Sequence, residues 1–345
     1  MDNLTHSLAG AVLGQMGLKR KTGLGMATLI IAANIPDIDA AAVLLGGHQH
    51  LAIRRGITHG PIAMVVLPLL LTAAMIWFDR WQAKRGTRPP GRLPVHRGWL
   101  LALAFIGCLS HPALDWLNNY GIRLLEPFSS QWLYGDSIFI IDVWIWAALI
   151  ASVWLSRRRE KSGTGDWQRP AWLGFTAICA YIFANGLITE RAERLTSAEV
   201  ERQHGIMPTM IVANAVPVQF WKRDTQWRDA THYGYGWFTM PGDVFVHGKV
   251  RPHGIHDPRV TEAVRAYPDG KAYLFWSRMP VAEVQGEGDR RQLMVSDQRF
   301  GDPRARGRFT TSVPWKGDEI GEDRILDDRD LKRLAKEYIA KENGN

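Results

Sequence analysis

Apolar positions in this chain gather into long runs over its first half. Four of them, Pro61 to Phe78, Trp99 to Leu117, Ile138 to Leu155 and Ala171 to Ile188, approach the roughly 20 residues an α-helix needs to cross a hydrocarbon core. Each is expected to be a membrane span. Two shorter runs come first, Leu4 to Leu18 and Gly23 to Asn34, separated by Lys19, Arg20 and Lys21. At about 1.5 Å rise per residue each reaches roughly 20 Å, short of a full bilayer core. They fit short tilted helices or a re-entrant hairpin.

The pattern changes near Thr189. Beyond it the runs are short and alternating, with Gly and Pro between them, and Met210 to Ala213, Tyr233 to Thr239, Val244 to Val250, Ala272 to Trp276 and Gln292 to Val295 are predicted strands. From Asp327 to Glu342 the apolar residues Leu331, Leu334, Ala335, Tyr338 and Ile339 have helical spacing and predict a terminal surface helix. The fold class that follows is α+β, an all-α multi-spanning membrane bundle over residues 1–190 followed by a small soluble β-rich domain over residues 191–345 with a C-terminal helix.

Charge adds orientation to this picture. The 345 residues carry a formal net charge of +8, but the cations bunch in short loops between apolar runs, which speaks for membrane topology and against a nucleic-acid partner. One set of loops holds Lys19 to Lys21, then Arg80, Lys84, Arg85, Arg88, Arg92 and Arg97, then Arg157, Arg158, Arg159, Lys161 and Arg169; the positive-inside rule makes that side cytoplasmic. The opposite loops, Pro36 to Gly60 and Asn118 to Ser137, hold only Arg54, Arg55 and Arg123. They are expected to face outward, with the C-terminal domain extracytoplasmic. Cys108 and Cys179 lie within apolar runs, where a thiol acts as a small hydrophobe. The first ten residues carry Asp2 and His6 and no basic leader, so they are expected to stay on the chain.

The chemistry concentrates on the outer side. His6, Asp37, Asp39, His59, His111 and Asp115 all fall near the outer end of an apolar segment. His111 and Asp115 are four apart, which on a helix puts both on one face and lets the pair grip one cation. Taken alone each motif has a structural reading: an interfacial histidine, or aspartates capping the next helix. Their joint placement is what points to a metal. Imidazole with carboxylate and no thiolate suits zinc first, with manganese or iron behind it. The supply of ligands allows one or two ions, and two-metal sites serve phosphoryl chemistry. Asp142 inside the fourth run is costly unless paired or coordinated, so it is a candidate partner behind a ligating histidine, a further ligand, or a hydrogen bond between spans. Asn118 and Asn119 extend the polar face of His111 and Asp115. Arg54, Arg55 and Arg123 can clamp a phosphate or pair with lipid headgroups.

The motifs Met1-Asp2-Asn3-Leu4-Thr5-His6, Pro36-Asp37-Ile38-Asp39, Arg55-Gly56-Ile57-Thr58-His59-Gly60 and His111-Pro112-Ala113-Leu114-Asp115, with Asn119-Tyr120-Gly121 after them, resemble the bacterial membrane-bound metal-dependent hydrolases, the YdjM-like proteins. The resemblance covers roughly the first 150 residues and implies a multi-pass inner-membrane protein with hydrolase activity and no assigned substrate. More distantly, the order His6, Asp37, His59, His111, Asp115 is similar to the ligand order of zinc-dependent phospholipase C and the S1/P1 nucleases. That implies phosphoester hydrolysis, although the later His-x-x-x-Glu element of those enzymes is missing.

The expected function is therefore a metal-dependent hydrolase with His6, Asp37, His59, His111 and Asp115 as ligands and Asp39 or Asp136 as general base. Its substrate is expected to be a phospholipid or lipid-linked phosphate. Two other classes remain: a metal or proton carrier, disfavoured because the inner halves of the spans are almost wholly apolar, and an assembly or sensor protein in which metal braces the helices. The aromatics Trp221, Trp227, Tyr233, Tyr235, Trp237 and Trp276 read as core of the outer domain, and His232, His247, His253 and His256 are not assigned to the metal.

Overall fold

In the computed structural model, which describes residues 1–163, 165–301 and 309–317, the chain divides into two compact units. One comprises Met1–Ala42 and Ile53–Asn185, the other Val43–Ala52 and Gly186–Asn345. The tail helix expected over Asp327 to Glu342 lies outside the described residues.

The first unit is helical. Its elements are α1 (Asn3–Gln15), α2 (Gly25–Ala32), α4 (Pro61–Lys84), α5 (Arg97–Trp116) and α6 (Val143–Lys161), with the start of α7 (Arg169–His204) and the end of α3 (Gln49–Ile53). Local chemistry sets the ends. The Asp2 carboxylate accepts from the amides of Leu4 and Thr5 to cap α1, His96 caps α5, and Pro61 opens α4 at a position whose N–H would be unpaired in any helix. Between α2 and α4 the chain runs as a 3-10 helix over Ile35–Leu45, bent by 40° from α2, and as a shorter one over Ile57–His59.

Among the described residues, three helices are long and apolar enough to cross a membrane: Pro61–Lys84, Arg97–Trp116 and Arg169–His204. The bent pair Gly25–Ala32 and Ile35–Leu45 adds a fourth candidate, as a broken span or re-entrant loop. The run expected to span at Ile138 to Leu155 does not pass that criterion. Its helix starts only at Val143, where Asp142 caps it, and ends in the basic turn Arg158, Arg159 and Lys161. Pro112 leaves α5 unbroken through Trp116.

α1 and α5 pack closely on α2. A Cβ added to Gly10 of α1 would sit 2.7 Å from the Leu29 carbonyl oxygen, and one added to Gly107 of α5 would sit 2.7 Å from the Ala32 Cβ. Both backbones therefore approach α2 at distances only glycine allows. Leu29, Ala32, Leu100, Leu103 and Ala104 are fully buried there.

The second unit carries two antiparallel sheets. Strands β1 (Met210–Ala215), β2 (Lys222–Arg228), β3 (His232–Thr239) and β4 (Asp243–Val246) are neighbours in that order, and β5 (Arg251–Pro252) also pairs with β3. Strands β6 (Pro280–Gln285), β7 (Gln292–Asp297) and β8 (Thr310–Pro314) form the other sheet. Two helices, α8 (Pro258–Arg265) and α9 (Pro268–Trp276), separate them in sequence. The run Ala272 to Trp276, expected as a strand, belongs to α9. Pro268 starts that helix, and burial of Ala272, Tyr273 and Trp276 follows a helical stripe. Asp297 is fully buried in this unit. Burial alone would raise its carboxyl, but Arg299 and the Ser277 hydroxyl outweigh it and hold it below the usual carboxylate range.

Candidate metal centre

Asp37, His59, His111 and Asp115 converge in the first unit, each buried, with one ligand atom apiece all within 4.8 Å of one another. They come from three places: the 3-10 helix after α2, the short turn before α4, and the last turns of α5. His6, from α1, adjoins them. Its Nε2 is 3.3 Å from Asp115 Oδ1, and its ring stacks on His111 at 3.8 Å between centroids. The Met1 α-amino group also contacts Asp115 Oδ1.

The backs of the two central imidazoles are held, which decides what their fronts present. His111 Nδ1 lies 2.7 Å from the Ala33 carbonyl oxygen, so that nitrogen carries the proton and Nε2 carries a lone pair. At His59 the same result follows from the Thr58 hydroxyl, which has a single proton. It donates this to Asp39 Oδ2 at 2.9 Å and so accepts from His59 Nδ1, also at 2.9 Å. Both Nε2 atoms thus point lone pairs into the cluster, where they are 3.1 Å apart. Asp115 Oδ2 lies 3.5 Å from each, and Asp37 Oδ1 is 3.8 Å from His111 Nε2.

Two imidazole lone pairs facing each other beside two carboxylates in a buried pocket repel unless positive charge sits among them. Nearby arginines supply part of it. Arg55 Nε binds Asp115 Oδ2 at 2.9 Å, and Arg54 NH2 binds Asp37 Oδ1 at 2.8 Å. Neither neutralises the histidine pair. A divalent cation suits this mixture of nitrogen and carboxylate oxygen donors, so the residues fit a metal ion.

The remaining expected residues fall into two groups. Asp39 stands behind His59: its Oδ2 takes the Thr58 hydroxyl and the Arg55 amide at 2.7 Å, while Oδ1 has no hydrogen bond. Arg55 is buried and fully engaged with Asp115, the Asn118 side chain, the Gly121 carbonyl and the Tyr120 ring. Arg123 is likewise buried, bonded to Glu126 and to the Ile53 carbonyl and packed on Trp132. Asp136 lies outside the four-residue group, in a turn whose neighbour Ser137 donates to the Leu117 carbonyl. Asp142 accepts from the Trp144 and Ile145 amides and from the Tyr181 hydroxyl. Asn119 is half-buried, and its neighbour Asn118 makes the contacts to Arg55 and to the Asp115 carbonyl. Asn118 is one of the two residues expected to extend the polar face of His111 and Asp115, whereas Thr58 and the Ala33 carbonyl are not legible as site groups in the sequence. The signal for Thr58 is its position immediately before His59.

Helices long and apolar enough for a membrane, with buried imidazoles and carboxylates gathered at their ends, define a membrane protein with candidate spans and a candidate metal centre. The YdjM inner membrane protein family matches residues 1–192, more than half of the chain, and the chain belongs to it. No curated protein and no solved structure matches.

Proposed function

We propose that the protein is a membrane-bound hydrolase that uses a divalent cation, zinc by preference, to cleave a phosphoester of a lipid or lipid-linked substrate at the outer face of the inner membrane. The observation that carries this reading is the pair of facing Nε2 lone pairs at 3.1 Å, each fixed from behind and flanked by Asp37 and Asp115. Asp37, His59, His111 and Asp115 would hold the cation, with His6 beside Asp115. When bound, a divalent cation supplies Lewis acidity that polarises a phosphoryl oxygen and makes water more acidic. The ligand order shared with zinc-dependent phospholipase C and the S1/P1 nucleases supports phosphoester chemistry.

The surrounding residues have distinct tasks in this proposal. Asp39 Oδ1 is the proton acceptor, since Oδ2 is already fixed by Thr58 and Arg55 while the buried Oδ1 takes no hydrogen bond and has Arg54 Nε 3.6 Å away. Asp136, outside the group, is the weaker choice. Arg55 and Arg123 hold Asp115 and the loop around it, so neither is free for substrate. Arg54 differs, because its side chain keeps 26% exposure while it contacts Asp37, and it can offer further N–H groups to a phosphate oxygen. Asp37 at 9% is the most exposed of the four cluster residues, against 1% or less for the others. Substrate therefore approaches from the Asp37 side. The apolar residues Ile38, Ile57, Leu125 and Phe128, next in sequence to Asp37, Thr58 and the Arg123 loop, are strongly exposed and suit an amphiphilic substrate better than a soluble phosphodiester.

Near-complete burial of His59, His111 and Asp115 also favours a second reading, in which the cation only braces the helices of an assembly or sensor protein. Metal analysis of purified wild type, His111→Ala and Asp115→Ala, followed by assay against lipid phosphoesters, separates the two. The hydrolase reading expects bound metal and cleavage in the wild type and folded, metal-poor, inactive variants. Loss of helical structure in both variants, with no lipid cleaved by the metal-loaded wild type, would establish the brace.

A further inference from the structure

Beside the middle of α1, and along α6 from Ile150 to its end, lies an open groove of about 590 Å³ lined by Leu8, Ile150, Val153, Trp154, Arg157, Arg158 and Lys161. The two helices run in the same direction. Trp146 near the start of α6 bonds Asp2 and Thr5, while Glu160 near its end pairs with Lys19 beyond the end of α1. The six lining residues of α6 are spaced i, i+3, i+4, i+7, i+8 and i+11, which is one continuous helical stripe. Its first half is apolar and its last turns are cationic.

Those cations have no acidic partner among the described residues. Glu160 is the sole acid of α6, and Lys19 and Arg20 both bind it. Arg158 stacks over the Trp154 ring at 5.6 Å, leaving its N–H edges open. Meanwhile Ile150 and Trp154 expose about half of their surface. A stripe that is apolar along its length and positively charged at one end complements an amphiphile with an anionic head. The positive-inside rule puts this end of α6 in the cytoplasm, and basic pockets at that depth recognise anionic headgroups. We propose that this groove binds an anionic phospholipid of the inner leaflet, with an acyl chain along Leu8, Ile150, Val153 and Trp154 and the phosphate held by Arg157, Arg158 and Lys161.

Native mass spectrometry of the full-length protein, released from detergent micelles containing equal amounts of phosphatidylglycerol and phosphatidylcholine, tests the site. The wild type should retain phosphatidylglycerol on the order of tenfold or more over phosphatidylcholine, given about fivefold for each nearby cation. The variant R157Q/R158Q/K161Q should bring that ratio close to parity. V153W, which fills the apolar groove and keeps every charge, should also lower retention, whereas R80Q/K84Q, which removes basic charge elsewhere on the same side, should not. Folding of each variant is checked by its far-ultraviolet circular dichroism, and V153W decides the question if the triple variant does not fold. The proposal is overturned if the wild type shows no preference, as expected were the basic stripe a dock for an acidic protein. It is equally overturned if V153W retains lipid like wild type, which indicates diffuse surface attraction, or if equimolar inorganic phosphate displaces the lipid.

Discussion

Thr58 shows how much of the candidate site depends on a residue that touches no ligand position itself. Its one hydroxyl proton goes to Asp39, and that choice fixes the tautomer of His59. Replacing it with valine keeps the shape and removes the relay. Thr58→Val should weaken metal affinity by about 10- to 100-fold, in line with other partners behind metal-bound histidines. Competition titration with a chromophoric chelator measures this, and an unchanged affinity would show that His59 is held by packing alone. Arg55 is a sharper case, because it compensates a carboxylate with no solvent access. Arg55→Met removes one of the two cationic groups at Asp115, leaving the Met1 α-amino group, and should cost up to about 3–5 kcal/mol of stability in metal-free protein. A fall in melting temperature that metal largely reverses is the expected signature; a melting curve superposing on wild type would contradict it.

Among the elements, α2 is closely hemmed by its neighbours. Gly10 and Gly107 let α1 and α5 rest directly on its backbone, and His111 reaches the Ala33 carbonyl just past its end. Gly107→Val would drive its side chain into Ala32 and the Leu29 carbonyl, so overpacking of about 1–3 kcal/mol is expected. The shift should also loosen the site, since α5 carries His111 and Asp115. Metal content and thermal stability should fall together in Gly107→Val, while the same change at half-buried Gly186, where an added Cβ meets nothing within 4 Å, should leave metal content intact.

For the molecule as a whole, the second unit carries its own pH response. His253 is buried beside Arg228, and desolvation first, then that guanidinium, lowers its pKa from 6.5 to about 4. The folded state therefore prefers the neutral ring. Above the unfolded value this contribution is fully present, and it is lost as pH falls from about 6.5 toward 4, because the unfolded chain binds the proton more readily. Hydrogen exchange of peptides covering β3 and β6, corrected for intrinsic rate, should accelerate between about pH 7.5 and about pH 5. His253→Gln should flatten that dependence, and a slope surviving the substitution would place its origin elsewhere.

Membership of an inner membrane family, a helical first half and strands in the second half were all legible in the chain, whereas the antiparallel pairing of those strands was not. Each rests on local periodicity: long apolar runs for α4, α5 and α7, alternation for β1, β3 and β7. The extent of α6 was misjudged because apolarity alone does not mark where a cap such as Asp142 starts a helix. Ala272 to Trp276 was misread because a five-residue apolar run suits a strand or a buried helix equally. The acidic and imidazole residues of the centre could be named from sequence, since few side chains of that chemistry occur in an apolar setting. Their roles could not be separated there. Which imidazole nitrogen faces inward, which arginine is locked and which is open, and whether Asp39 or Asp136 stands behind the cluster depend on contacts between segments many residues apart. Such contacts exist only once α2 has brought α1 and α5 together, so local pattern has no access to them.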